Sequence, residues 1–187
     1  FSLNARNVKA LKSQGNFLWI GTSMGIIKYD KLSTENQVIY DNRNGLLSNG
    51  IFSIVTGPKN KVWVGTYGGG LSRLDNKRWL HFNTPQGLND AFVYDQAFTQ
   101  NSMWIATWSG VNLVRGDPMF HESWESFTID NTNGGLIDNW VYSIEVGKNN
   151  NVWFGTEAGL SLFNGRKWLN WNHKNGLGAP YKLVEKD

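Results

Sequence analysis

The sequence predicts an all-β protein, a β-propeller segment of four four-stranded blades. Three observations predict it. One Trp-anchored unit recurs four times along 187 residues, each unit resolves into four short β-rich runs, and no window of a dozen residues holds a helical period. The anchors are Trp19-Ile20-Gly21-Thr22, Trp63-Val64-Gly65-Thr66, Trp104-Ile105-Ala106-Thr107 and Trp153-Phe154-Gly155-Thr156, with Trp spacings of 44, 41 and 49 residues. Each is followed by a Gly and an apolar residue: Gly25-Ile26, Gly70-Leu71, Gly110-Val111 and Gly159-Leu160. A second anchor recurs in step, at Gly45-Leu46, Gly87-Leu88, Gly135-Leu136 and Gly176-Leu177.

The second unit shows the strand pattern plainly, with runs over 51–56, 61–66, 70–75 and 78–82. Each is rich in β-branched and aromatic residues and bounded by Gly, Asn, Asp or Pro. Gly57-Pro58-Lys59-Asn60 and Asp75-Asn76-Lys77 are turn chemistry between them. A period of this length with four strands per unit is that of propeller blades. Leucine-rich repeats are shorter and carry one strand each, and helical solenoids need helices that this sequence does not encode.

The repeats run over about 7–44, 50–86, 92–134 and 140–175, and 181–187 reads as the first strand of a further blade. The start, around Ser2–Val8, aligns with an inter-blade connection, and Phe1 is neither an initiator Met nor part of a signal-peptide pattern. The expectation is a processed or excised segment of a larger propeller, completed by further blades or by a second copy.

Composition bounds the function classes. Charged residues are 18%, aromatic residues 14%, and ten Trp stand beside 21 Gly, so large rings dominate the expected core. The net charge of +3 is spread over single Lys and Arg interspersed with acids, which reads as a solvated surface and gives no nucleic-acid footprint. No apolar run reaches 18 residues, so no membrane insertion is expected in this segment. Zero Cys excludes disulfides and thiolate metal sites.

The frame Gly-Leu, Val, Ile, then Val-Trp-aromatic-Gly-Thr and Gly-Leu runs through Gly135-Leu136, Val141, Ile144, Val152–Thr156 and Gly159-Leu160. It resembles the two-component regulator propeller repeat, four times over and across nearly the whole chain. The resemblance implies a seven-bladed parent and an extracytoplasmic (periplasmic, secreted or cell-surface) bacterial sensor region. In that family such regions belong to hybrid histidine kinases that detect glycans or other nutrients. Departures are local: Ala106 replaces Gly, the 66–70 turn holds an extra Gly, and the first unit lacks the Trp of its outer strand. Propellers host many unrelated functions, so the likeness carries fold further than activity.

Repetition marks what the fold demands, and variable loop positions are then free to serve function. The four frame Trps are expected in inter-blade packing. Two loop sets should share one face: the turn between second and third strands, and the inter-blade connection. Their candidates for ligand binding are Tyr67, Trp108, Glu157, Asn49, Asp90, Asp138, Trp140 and Tyr181. Exposed rings beside amides and carboxylates suit a glycan, another small molecule or a peptide, the rings stacking and the polar groups orienting. No catalytic constellation is visible. His81, His121 and His173 are far apart in repeat phase, and neither a Gly-x-Ser-x-Gly elbow nor a phosphate loop occurs. No cofactor is expected; Ca²⁺ held by Asp90, Asp138 and Glu157 is the minor alternative. The expectation is a non-catalytic binding or sensing module, with a protein–protein interaction scaffold as the alternative and a propeller lyase or hydrolase behind it.

Overall fold

The computed structural model describes residues 7–177 apart from residue 34, and all structural statements below refer to these. Four separate antiparallel sheets follow one another along the chain, each with its strands in sequence order. The first blade holds β1 (Val8–Gln14), β2 (Phe17–Thr22), β3 (Gly25–Asp30) and β4 (Gln37–Tyr40). The second holds β5 (Ile51–Thr56), β6 (Val62–Thr66), β7 (Leu71–Asp75) and β8 (Arg78–Phe82). The third holds β9 (Val93–Phe98), β10 (Ser102–Thr107), β11 (Gly110–Arg115) and β12 (Trp124–Phe127). The fourth holds β13 (Val141–Val146), β14 (Val152–Thr156), β15 (Gly159–Phe163) and β16 (Trp168–Trp171). Helical geometry is confined to five three-residue 3₁₀ turns. Blades meet through their first strands, β1 against β5, β5 against β9 and β9 against β13, as in a propeller.

The Gly-Thr anchor shapes the hairpin between the second and third strands. In every blade the Thr hydroxyl donates to the carbonyl of the Gly that opens the third strand, at 2.7–2.9 Å. In three blades it also accepts a turn N–H, from Met24, Gly69 or Ser109. The turn after Thr66 holds one extra Gly, and β7 starts at Leu71, one residue later than the sequence pattern suggests; the Gly70 N–H donates to the Ala91 carbonyl of the next connection. The same clasp joins Gly25 N–H to the Asn49 carbonyl and Gly110 N–H to the Asn139 carbonyl.

The Gly of the anchor is there for blade spacing. A Cβ on Gly21 would lie 2.6 Å from Cγ2 of Ile51 in the next blade, and one on Gly65 would overlap Gln96 and the Val93 carbonyl. Gln96 instead crosses the gap to donate to Ser53 Oγ at 2.6 Å. Apolar cores form between consecutive blades, around Trp19, Trp63 and Trp104. Trp63 lies against Phe98 and Trp104 against Phe154, each in the following blade. Trp153 differs: it is only half-buried and its ring partner is Trp171 of its own blade. Among the described residues Trp153 has no ring contact from a following blade of the kind that Phe154 makes with Trp104. In the first blade the outer-strand Trp position is Gln37, and Tyr40, in register with Phe82 and Phe127, stacks on Trp19 at 6.1 Å and lies edge-on to Trp79 at 5.5 Å.

Candidate functional site

The innermost strands carry a feature that strand alternation conceals. Each has a register shift at the same point: between Val8 and Ala10, Ile51 and Ser53, Val93 and Asp95, and Val141 and Ser143. A β-bulge leaves one residue unpaired and re-aims its side chain. Here the bulged residues are Lys9, Phe52, Tyr94 and Tyr142, at one level of four neighbouring strands. They touch in sequence: Lys9 Nζ stands 5.5 Å over the Phe52 ring, Phe52 stacks on Tyr94 at 4.7 Å, and Tyr94 meets Tyr142 edge-on at 5.6 Å.

Two further sets of repeat-equivalent positions surround this chain of rings. Residues following the anchor Thr include Tyr67, Trp108 and Glu157, and residues preceding the inner strand include Gly50, Phe92 and Trp140. Backbone bonds lock the two sets together, from Tyr67 N–H to Gly50, Trp108 N–H to Phe92 and Glu157 N–H to Trp140. The strand 2–3 turns and the inter-blade connections therefore share one end of the blades. The rings continue there without interruption. Tyr67 meets Phe52 and Phe92, Phe92 meets Trp108, and Trp108 stacks on Trp140 at 4.8 Å and 9°. Trp140 closes the path against Tyr94 and Tyr142.

Seven rings from three blades thus form one array, and part of it stays open to solvent. Tyr67 is 56% exposed, Trp108 43% and Tyr142 39%, while Trp140 is half-buried beneath its partner. The Trp140 indole N–H is buried and approaches Tyr94 without meeting the geometry of a hydrogen bond. Burial is the main cause that raises the Tyr94 hydroxyl above its ordinary pKa. The Tyr142 hydroxyl donates to Glu157 Oε2 at 2.6 Å, and that bond pushes Tyr142 up to about 12.

The remaining sequence candidates divide by what holds them. Asp90 and Asp138 accept the N–H of Phe92 and Trp140, the residues two places on, so each carboxylate fastens the turn that presents a ring. Asp90 also accepts from Ser109 at 2.8 Å. Asn49 pairs with Asn42 through both its amide atoms and serves the clasp on the first blade. Glu157 is committed to Tyr142, and the three acids Asp90, Asp138 and Glu157 do not gather: among the described residues no three His, Asp or Glu form a metal-holding group. Tyr181 lies outside the described residues. Of the histidines, His81 is paired with buried Ser72 through Nδ1 at 2.9 Å, and burial lowers its pKa; His121 and His173 open separate 3₁₀ turns.

Sequence reasoning found Tyr67, Trp108, Glu157 and Trp140, which the structure brings together. It missed Phe52, Phe92, Tyr94, Tyr142 and Lys9. A signal existed: each bulged ring directly follows the buried Ile or Val that opens an inner strand, where alternation puts a side chain on the opposite face.

Four consecutive four-stranded antiparallel sheets that meet through their first strands define this chain as a β-propeller, with the ring array at one end of its blades. Residues 45–68 and 135–158 match the family model described as two component regulator propeller. Among solved structures it is similar to the extracellular domain of the hybrid two component system BT3049 from B. thetaiotaomicron, at 25% identity and a TM-score of 0.77. That match covers 90% of this chain and 23% of the other. The extracellular domain of BT4673 from the same organism matches at 23% identity and a TM-score of 0.67, over 89% and 22% of the two chains. An ancestral GH74 enzyme shares the fold at 20% identity and a TM-score of 0.64, over 88% and 24%. This chain therefore spans about a quarter of the length of these structures. No curated protein matches the sequence.

Proposed function

We propose that this chain is the ligand-capturing part of an extracytoplasmic bacterial sensor, non-catalytic, and that it binds a glycan or peptide segment on its aromatic end. The observation that carries this is the continuous ring array, whose exposed members stand beside Glu157, Lys9 and Ser109. Stacking on flat rings supplies affinity at low entropic cost, and the polar groups at its edge set orientation. The likeness to extracellular domains of hybrid two component systems supports the sensory role and the location outside the cytoplasm. No helix among the described residues is long and apolar enough to cross a membrane. Any signal passes to parts of a longer protein, and further blades or a second copy are the expected neighbours of the fourth blade.

The test is a fluorescence titration with a panel of soluble oligosaccharides and peptides. A binding member quenches or shifts Trp emission saturably in the parent protein. Trp108→Ala with Trp140→Ala weakens that member at least about tenfold while leaving the fold intact, since stacked rings contribute roughly 1–3 kcal/mol where they hold a ligand. Equal binding by the double variant would sink the reading.

A further inference from the structure

The hairpin turns between first and second strands lie at the opposite end of the blades from the ring array. There, between the second and third blades, a cavity of about 510 Å³ is lined by Lys61, Trp63, Arg73, Phe98, Asn101 and Met103 among others. The corresponding gap between the third and fourth blades holds only about 220 Å³.

The repeat supplies an internal comparison. The residue paired across the strand from the frame Trp is Arg73 beside Trp63, but Leu113 beside Trp104 and Leu162 beside Trp153. Packing a frame Trp does not require a cation. In the first blade that position is Lys28, yet there Gln14 accepts the Trp19 indole N–H at 2.9 Å. The residue in Gln14's place in the second blade is Gly57, where a Cβ would run into Phe98 at 2.5 Å, so no side chain can supply the acceptor. Trp63 is only 5% exposed, and its Nε1 is buried without a partner among the described residues.

Arg73 leaves a second donor unmatched. Its guanidinium lies 5.1 Å over Trp63 and 5.6 Å over Phe82, and its Nη2 reaches Asp75 at 3.3 Å, but Nε is buried with no partner. Asp75 is shared with Lys61 at 2.5 Å. Those two cations and Lys59 outnumber Asp75 and Asp117 around the cavity. A buried N–H left unmatched is costly, and two such donors on side chains that line one cavity call for an acceptor. An anionic oxygen is the acceptor best matched to donors beside an excess of positive charge.

We propose that this cavity is a binding site for a small carboxylate, whose oxygens accept from Trp63 Nε1 and Arg73 Nε beside Lys61, with Phe98 and Met103 as the apolar wall. The site is independent of the ring array and lies wholly between two described blades. The carboxylate comes from a sugar acid or from a chain end of a peptide, and the test separates these sources.

The full chain is titrated with sodium glucuronate, with N-acetylglycine and with glucose, following the Trp indole and Arg Nε–H resonances by ¹H–¹⁵N NMR. The expected result is saturable movement of the Trp63 and Arg73 resonances with at least one carboxylate and none with glucose. Glucuronate as the stronger binder assigns the sugar source, N-acetylglycine the peptide source. Arg73→Leu, which installs the residue of the third and fourth blades, weakens the response at least about tenfold, as does Trp63→Phe, which keeps a ring and removes the N–H. Lys167→Gln, an exposed cation lost from the fourth blade, leaves it unchanged. Thermal melts confirm that each variant is folded. No saturation with either carboxylate, an equal response to glucose, or full binding by folded Arg73→Leu overturns the assignment.

Discussion

Trp104 and Trp108 lie four residues apart on one hairpin, and their surroundings are opposite. Trp104 is sealed between the third and fourth blades against Phe154 and Phe163. Trp108 stands at the open end of the blades, stacked on Trp140, in edge contact with Phe92 and 43% exposed. The lesson is that repeat phase, more than residue type, decides what a ring does here. Trp104, at the frame position, meets the next blade, whereas Trp108, one residue past the anchor Thr, meets the loop residues Phe92 and Trp140 and solvent.

The largest effect should come from breaking the frame side of that comparison. Trp104→Ala is expected to cost about 3–5 kcal/mol, read as a fall of roughly 10 °C or more in Tm. Trp153→Ala, at the same phase but half-buried, should cost roughly half as much, and an equal cost would mean that the fourth blade is covered in solution. Trp108→Ala should cost less than about 1.5 kcal/mol in chemical denaturation, because it gives up one stacked pair and little buried area.

Next comes the spacing between blades. Gly65→Ala places a methyl against Gln96 and the Val93 carbonyl and is expected to destabilise by about 1–3 kcal/mol. The third blade carries Ala106 at that phase, fully buried, so Ala106→Gly should lose about 1 kcal/mol rather than gain stability. If both changes prove neutral in a melt, the anchor Gly is not a spacer.

A smaller, pH-dependent effect is expected at Asp95, which stands opposite Ala106 where the other blades have Ala10, Ser53 and Ser143. Its Oδ2 accepts the Ile144 N–H of the next blade at 2.9 Å, yet burial outweighs that bond and raises its pKa. A carboxyl whose pKa is raised on folding binds its proton more tightly in the folded state. Its stabilising contribution is complete below the ordinary carboxylate range and is lost as pH rises through the folded value. Asp95→Asn keeps an acceptor without the charge, so it should raise Tm by a few degrees at pH 7, the gain shrinking toward pH 4. His81 runs the other way in mechanism. Burial lowers its pKa, so its contribution is complete above the ordinary His range and falls away in acid.

The smallest effect concerns the array alone. Glu157→Gln removes the charged acceptor of the Tyr142 hydroxyl, so Tyr142 should fall from about 12 toward 10, measured by ultraviolet titration with no change in Tm. An unmoved Tyr142 would mean that the pair does not persist in solution.

Much of this architecture was legible in the residues. The Trp-x-Gly-Thr anchors announced hairpins, and Gly-Leu with its following polar turn announced the connections, because both are local patterns that four copies make unmistakable. Trp108 and Trp140 were legible as departures from the repeat. Their stacking on each other was not, since 32 residues separate them and only the meeting of the third and fourth blades brings them into contact. The bulges were hidden for a related reason. A register shift is a property of two paired strands, and a single strand read alone shows Phe52, Tyr94 and Tyr142 as ordinary alternation.

By itself, then, the sequence determined the blade repeat, the strand order within each blade and the assignment of the frame Trps to packing, all of which follow from periodicity and turn chemistry. Only the tertiary structure decided that seven rings from three blades become one surface. It alone showed that the acids beside them serve as turn fastenings, and that Trp63 and Arg73 keep unmatched donors in a cavity at the far end. Those outcomes depend on which blade stands next to which, a distance in space that spacing along the chain does not contain.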